Sequence, residues 1–299
     1  MHTKHDIDIW ESINCPICNS DQMHFVTHDW QTIGSQSYTF TLVRCDKCHL
    51  VYVNPRLRKE AITTSKGGGA HHDSIAFKQT LYEIGCRKLK ERLDFSSDYM
   101  PKLLDVGCGY GSFLKVAQKY DFDVTGIEIN EKAVEGARKN GFVVYDNNLE
   151  DLALPEQMFD VVTLWDVIEH VDSPKSLLTE AARLLRPGGI LFFHTGNAAF
   201  QVTKGHILAK LRPGCGPYNI PYHHLYHFSP QTSRELLRRI GEFEQVEFTH
   251  FDTLVYPNRT KYVLMKGYNT LTYLLSKIGL PLWTTTLAVF ATKANKDKE

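Results

Sequence analysis

The sequence predicts an α/β protein, a nucleotide-binding parallel sheet with a small cysteine-knuckle domain ahead of it. Three observations carry that expectation. Residues 103–114, LLDVGCGYGSFL, pass from an apolar strand into a glycine turn and then a helix, the order found in open α/β sheets that bind ligands at the carboxyl ends of their strands. Strand-like and helix-like segments then alternate towards the C-terminus. Before them, Cys15-Pro-Ile-Cys18 and Cys45-Asp-Lys-Cys48 repeat one C-x-x-C spacing.

The spacing within the loop narrows the ligand. A dinucleotide site reads G-x-G-x-x-G, with a helix N-terminus facing a pyrophosphate. Here Gly107, Gly109 and Gly111 read G-x-G-x-G, and Asp105 stands two residues before the first of them. A carboxylate there repels phosphate and suits a ligand carrying an ammonium and a sulfonium. In this combination the loop resembles the first motif of the class I S-adenosylmethionine-dependent methyltransferases. The resemblance implies a Rossmann-like seven-stranded class I methyltransferase domain over residues 101–299, with S-adenosyl-L-methionine as cofactor. Later motifs follow in the family's order. Strand 124–127 ends in Glu128, FDVVTLWDVIEHV over 159–171 reads as a strand entering a helix, and LLRPGGILFFHTGN over 184–197 reads as a helix end, a turn and a strand.

By this resemblance Asp105, Gly107 and Gly109 hold the methionyl part, and Glu128 accepts both ribose hydroxyls in a fork. Cys108, Gly111, Ile129 and Leu149 complete the expected cofactor wall. Where the family usually has an adenine-binding Asp this chain has Asn148, whose amide oxygen still accepts a hydrogen bond, with Asp146 as its competitor. Trp165 either flanks the methionyl end or closes the core. Asp166, Glu169 and His170 fall at i, i+3 and i+4, one face of the expected helix. They resemble the acidic-x-x-E-H pattern of ubiquinone-type O-methyltransferases, where that face lies by the substrate. A carboxylate-oriented histidine suits a general base for a hydroxyl. The structural alternative is a capped helix whose histidine packs against the next loop.

Ahead of the core, the two knuckles at Cys15, Cys18, Cys45 and Cys48 set four thiolates at tetrahedral reach, as a structural Zn2+ requires. Residues 1–60 are therefore expected to form a four-cysteine zinc ribbon, with metal that holds the fold and does no chemistry. The following LVYVNPR, residues 50–56, resembles the segment after the ribbon in bacterial methyltransferases acting on sugars and other small metabolites. Residues 61–100 are expected to hold a glycine-rich linker and a helix over 77–93 that covers the cofactor or simply packs, with Tyr82 as the lid contact.

Two inserts are expected in the methyltransferase domain, at 198–229 and 252–283. The first is read as a loop ending in YHHLYHFS, a run that resembles Y-H-E-H-L-x-Y-F-S of zinc-ribbon sugar C-methyltransferases, with His223 in place of Glu and His224 kept. His224, His170 and His223 are thus the catalytic candidates, His224 first. A catalytic metal on this histidine cluster is the minor alternative. The second insert has aromatic residues that would line a substrate pocket.

Basic and acidic side chains number 34 each among 299 residues, so no global field draws the chain onto a polyanion. Nucleic acid is accordingly not an expected partner. No signal peptide opens the chain and no apolar run reaches the roughly 18 residues of a membrane span. Cytoplasm is the expected compartment, with residues 268–282 available for peripheral membrane contact. The expected activity is methyl transfer to a hydroxyl of a small molecule such as a sugar, glycan or secondary metabolite. Beside it stand C-methylation of a nucleotide sugar, RNA base methylation, and a non-enzymatic zinc-ribbon interaction protein.

Overall fold

The computed structural model describes residues 9–33, 35–58, 75–93, 99–211, 223–251, 259–278 and 284–295. The expected glycine-rich linker lies outside them.

The N-terminal part is built from β1 (Trp10–Glu11), β2 (Met23–Ile33), β3 (Gln36–Cys45), β4 (Val51–Val53) and β5 (Arg56–Leu57). β2 and β3 form a long antiparallel hairpin, and β4 pairs with β3 on its other side. Helix α1 (Ile75–Lys90) follows. It lays Leu81, Tyr82, Cys86 and Leu89 into the same core as Phe113, Leu114 and Trp165.

The main sheet begins with β6 (Lys102–Val106), α2 (Ser112–Gln118), β7 (Asp123–Ile127), α3 (Glu131–Lys139) and β8 (Val143–Tyr145). The chain continues with β9 (Phe159–Trp165), α4 (Pro174–Leu184), β10 (Leu185–Gly196), α5 (Ala198–Leu211), β11 (Tyr226–His227), α6 (Pro230–Ile240), β12 (Phe243–Thr249), α7 (Arg259–Ser276) and β13 (Thr286–Lys293). Seven strands join in the order β12-β13-β10-β9-β6-β7-β8. The five from β10 to β8 run parallel, and β13 is antiparallel to both its neighbours. Seven consecutive residues of β9 are buried, as a central parallel strand covered on both faces requires. At its start Asp160, fully buried, accepts from the Lys102 N–H at 2.7 Å and the Tyr99 hydroxyl at 3.0 Å, and pairs with Arg186.

Two expectations change. Residues 166–170 are not helical: β9 stops at Trp165, Asp166 takes a φ of 54°, and a turn follows. The helix starts later because Ser173 caps it, its Oγ accepting from the Ser176 N–H, and Pro174 pre-sets its first turn. The 198–229 insert is not one loop but opens as helix α5 and closes with strand β11. The 252–283 insert contains the 18-residue α7.

β11 does not join the main sheet. It pairs antiparallel with β4, Tyr226 opposite Tyr52 and His227 opposite Val51, making the fourth strand of the cysteine-bearing sheet. The Tyr226 hydroxyl donates to the Asp172 carbonyl at 2.7 Å and accepts from Arg56 Nη1 at 2.9 Å, while Arg56 Nε donates to Glu11. One apolar core runs from Cys15, Ile17 and Tyr52 through Tyr226 and Phe228 to Leu191 and Val289.

Candidate active site

The glycine loop leaves β6 with Gly107, Gly109 and Gly111 at φ of 75°, 54° and 82°, a region that L side chains avoid. A Cβ on Gly107 would stand 2.5 Å from Val167, and one on Gly111 2.6 Å from Phe142. Those two glycines serve packing. A Cβ on Gly109 would meet nothing within 4 Å, so the loop is open there to a ligand. Cys108 turns its thiol inward, against Gly126, and offers outward only its backbone.

Glu128, just past β7, faces the same opening. Its Oε2 accepts from the Gly109 N–H at 2.9 Å, and its Oε1 from the Ile129 and Asn130 N–H groups, both at 2.8 Å. The carboxylate is thereby fixed with lone pairs to spare. Beside it Ile129 is 70% exposed, an apolar surface uncovered at the mouth, and Leu149 is buried. Asn148 is exposed and donates to Asp151 at 2.7 Å, leaving its amide oxygen for a ligand, while Asp146 pairs with Arg138 at 3.4 Å. Asp105 is buried and accepts from the Thr163 hydroxyl at 2.7 Å. Burial pushes its carboxyl up to about 8. These residues fit the expected cofactor at Glu128, whose fixed carboxylate suits a diol, and at Gly109, where the loop is open.

Trp165 is a core residue. Its ring lies 5.0 Å from Tyr82, 5.1 Å from Phe113 and 4.6 Å from Phe192, and Gly85 of α1 makes room for it. Tyr82, expected as a lid contact, is buried in the same aromatic group.

The structure brings the three histidine candidates together. Nitrogens of His170, His223 and His224 all lie within 4.8 Å of one another. His170 Nδ1 bonds the His223 carbonyl at 2.8 Å, so no carboxylate orients it. Burial, then the neighbouring imidazoles of His170, His227 and His223, pushes His224 down to about 3, and burial also lowers His170. Burial thus disfavours the protonated form of both imidazoles.

The carboxylate–histidine pair is elsewhere. Asp166 Oδ1 lies 2.7 Å from Nδ1 of His194, on the adjacent strand β10 and in register with Trp165. The positive φ of Asp166 turns it into this position, and its N–H donates to the His194 carbonyl at 3.0 Å. Desolvation raises the Asp166 carboxyl, yet the His194 imidazole outweighs it and the net displacement is downward. His194 Nε2 is buried without a partner, beside Phe251, whose ring stacks at 6.2 Å. An imidazole held at one nitrogen with the other open is the arrangement of a proton acceptor. Sequence reasoning missed His194; the available signal was a histidine at the carboxyl end of an expected parallel strand. Glu169 is buried, and burial followed by the nearby Asp166 pushes it up to about 8. Its carbonyl accepts from the Leu225 and Tyr226 N–H groups, anchoring the histidine-bearing segment over the cleft.

In the N-terminal sheet, Cys15 and Cys48 place their sulfurs 3.3 Å apart, and Cys18 and Cys45 3.4 Å apart, with all four within 4.8 Å. Four Zn–S bonds of about 2.3 Å span edges of about 3.8 Å. The set fits such an ion with a small outward shift.

A Rossmann-like seven-stranded sheet, a G-x-G-x-G loop and an acidic residue facing it at the end of the next strand define a class I S-adenosylmethionine-dependent methyltransferase. The chain belongs to the methyltransferase-domain family, whose sequence profile matches residues 77–244. Among curated relatives it is 38% identical over 115 residues to a ubiquinone biosynthesis O-methyltransferase of Thiobacillus denitrificans, covering 36% of this chain and 48% of that one. The enzyme of the same name from Histophilus somni is 33% identical over 151 residues, 44% of this chain and 63% of that one. The chain spans about half the length of the first of the curated relatives it matches. The plantazolicin methyltransferase BpumL, solved with SAH, superposes with a TM-score of 0.51 at 17% identity over 79% of this chain and 90% of that one, a likeness of fold.

The two raised carboxyls set a pH dependence. Asp105 and Glu169 stand at about 8 when folded and at about 4 when unfolded. Between those values the folded chain keeps protons that the unfolded chain has released, so stability falls as pH rises through the window. The depressed His224 and His227 act in the opposite sense over the same window, so the test is the difference between wild type and Asp105→Asn with Glu169→Gln: from pH 5 to pH 8 the wild type should lose more than about 1 kcal/mol relative to the variant in urea unfolding. Parallel profiles would show both carboxyls ionised in the fold.

Proposed function

We propose that the protein transfers the methyl group of S-adenosylmethionine to a hydroxyl of a small-molecule acceptor, a sugar, glycan or related metabolite. The observation that carries the reading is the Glu128–Gly109 cradle; at the carboxyl ends of the neighbouring strands β9 and β10 stand an Asp-oriented imidazole and a histidine cluster. The names of the curated relatives support oxygen as the accepting atom. When bound, S-adenosylmethionine supplies a methyl group on a sulfonium, already electrophilic. The chain then has two tasks, alignment of the acceptor and removal of its proton.

Asp105 and the backbone of Gly107 to Gly109 hold the methionyl end. Glu128 holds the ribose, and Ile129, Leu149 and the Asn148 amide surround the adenine. His170, His223 and His224 form the acceptor-facing wall as hydrogen-bonding groups. The proton passes to His194 Nε2, and Asp166 stabilises the imidazolium that results; Phe251 must shift for the hydroxyl to reach it. The sequence favours His224 as the base, but burial disfavours protonation of that imidazole, and the geometry offers an imidazole held by a carboxylate at His194–Asp166 instead. Residues 1–60 form a four-cysteine zinc ribbon with a structural role, 61–100 link it to the methyltransferase domain, and the setting is cytoplasmic. Among the described residues no helix is long and apolar enough to cross a membrane.

Cofactor binding is tested by calorimetry. Glu128→Ala should weaken S-adenosylmethionine binding by roughly 1 to 3 kcal/mol, and labelled cofactor incubated with a metabolite extract should yield a product whose fragmentation places the methyl on oxygen. Unchanged affinity, or label on carbon, would overturn the respective part.

The base is tested by turnover on that product's precursor. His194→Ala and Asp166→Asn should each lose about a hundredfold in kcat with cofactor affinity kept, and His224→Ala less than about tenfold. The reverse order would return the base to the insert.

Metal is tested independently of catalysis. Elemental analysis should find one zinc ion per chain, and Cys18→Ser should lower the melting temperature by several degrees. Metal-free protein with the same melting curve would remove the ribbon assignment.

A further inference from the structure

The two buried residues of helix α7 are polar: Asn269 and Thr272 are 2% and 6% exposed, and the Asn269 amide oxygen accepts from the Thr285 N–H at 3.4 Å, while Tyr273 packs partly buried against the core. Much of its exposed face is aliphatic. Val263, Leu264, Leu271, Leu274 and, just past the helix, Ile278 are 59, 67, 56, 59 and 77% exposed. On a regular helix these five positions fall within an arc of about 100° and run for about 22 Å along the axis. A helix serving only the fold would place its apolar stripe against the core.

On α7 the charge has one sign: Lys266 and Lys277 lie exposed along one flank of the stripe, and the helix contains no Asp or Glu. Helix α5 meets it through the Phe200 and Tyr268 rings, 5.8 Å apart, and adds exposed Ile207 and Lys204, again without an acidic residue. Both helices sit at the cleft end of the sheet, since α5 leaves from Gly196 and α7 leads back to Thr286, its partner in the ladder.

We propose that this face docks on an anionic lipid bilayer, with α7 lying in the plane of the interface. The aliphatic strip enters the acyl boundary while the lysines meet headgroup phosphates, the two contributions that hold amphipathic helices on membranes. A second copy of the chain is the poorer occupant. Face-to-face pairing would set lysines against lysines, and the two helices supply no carboxylate to relieve it. The docking would bring the cleft to acceptors held at the membrane surface, but the inference does not rest on methyl transfer, because its test reads partitioning alone.

The test is flotation of the full-length protein with vesicles of phosphatidylcholine alone and of phosphatidylcholine with phosphatidylglycerol. The protein should partition onto the anionic vesicles only, and less as salt is raised. Lys266→Glu and Lys277→Glu should each reduce the partition by about fivefold. The pair Leu271→Glu with Leu274→Glu should abolish it, with the melting temperature and S-adenosylmethionine affinity unchanged. Absence of binding to anionic vesicles at low salt would overturn the proposal. So would a concentration-dependent dimer that the leucine pair converts to monomer without any vesicle binding by the wild type, which would assign the face to a second copy. Partition indifferent to both lysines would overturn the anionic choice.

Discussion

Three backbone N–H groups converge on one carboxylate, that of Glu128, and the upper edge of the sheet is arranged around it. Charge-assisted bonds of this kind are about twice as strong as neutral ones. They join the glycine loop after β6 to the turn after β7, so the two walls of the cofactor cleft are set relative to each other before any ligand arrives. Gly107 and Gly111 complete the constraint from below, because Val167 and Phe142 occupy the space their side chains would need. Gly109 is the exception that leaves the cleft open.

The second organising contact is between the cysteine-bearing sheet and the acceptor side of the cleft. Tyr226 is tied in twice: its backbone extends the β4 ladder, and its hydroxyl sits between Arg56 and the Asp172 carbonyl. The preceding residues, His223 and His224, are therefore carried into a strand whose position is set by the cysteine-bearing sheet. A metal without chemistry of its own would thus still govern where the histidine wall stands.

Local spacing was readable in the sequence, and contacts across strands were not. The glycine loop, Glu128 and the four cysteines each rest on a few neighbouring residues, and the structure gathers them as the spacing implied. Asp166, Glu169 and His170 have helical spacing too, but they occupy a turn, and Ser173-Pro174 was the true start signal. Reading the triple as a helix face paired the carboxylates with His170. The actual partner of Asp166 is His194, reached by strand register and by one positive φ. Neither of those is written in the spacing of nearby residues.

The β4–β11 ladder also imposes an order on synthesis. Tyr52 emerges from the ribosome early, and its strand partner Tyr226 only after most of the sheet has been made. The four cysteines are all present long before that. The outer edge of β4 nonetheless stays unpaired until the late strand arrives, and an unpaired edge is a template for wrong partners. In the living cell the cysteine-bearing unit is thus the first part to be complete in composition and among the last to be closed, and its vulnerable interval is as long as the translation of the segment between them.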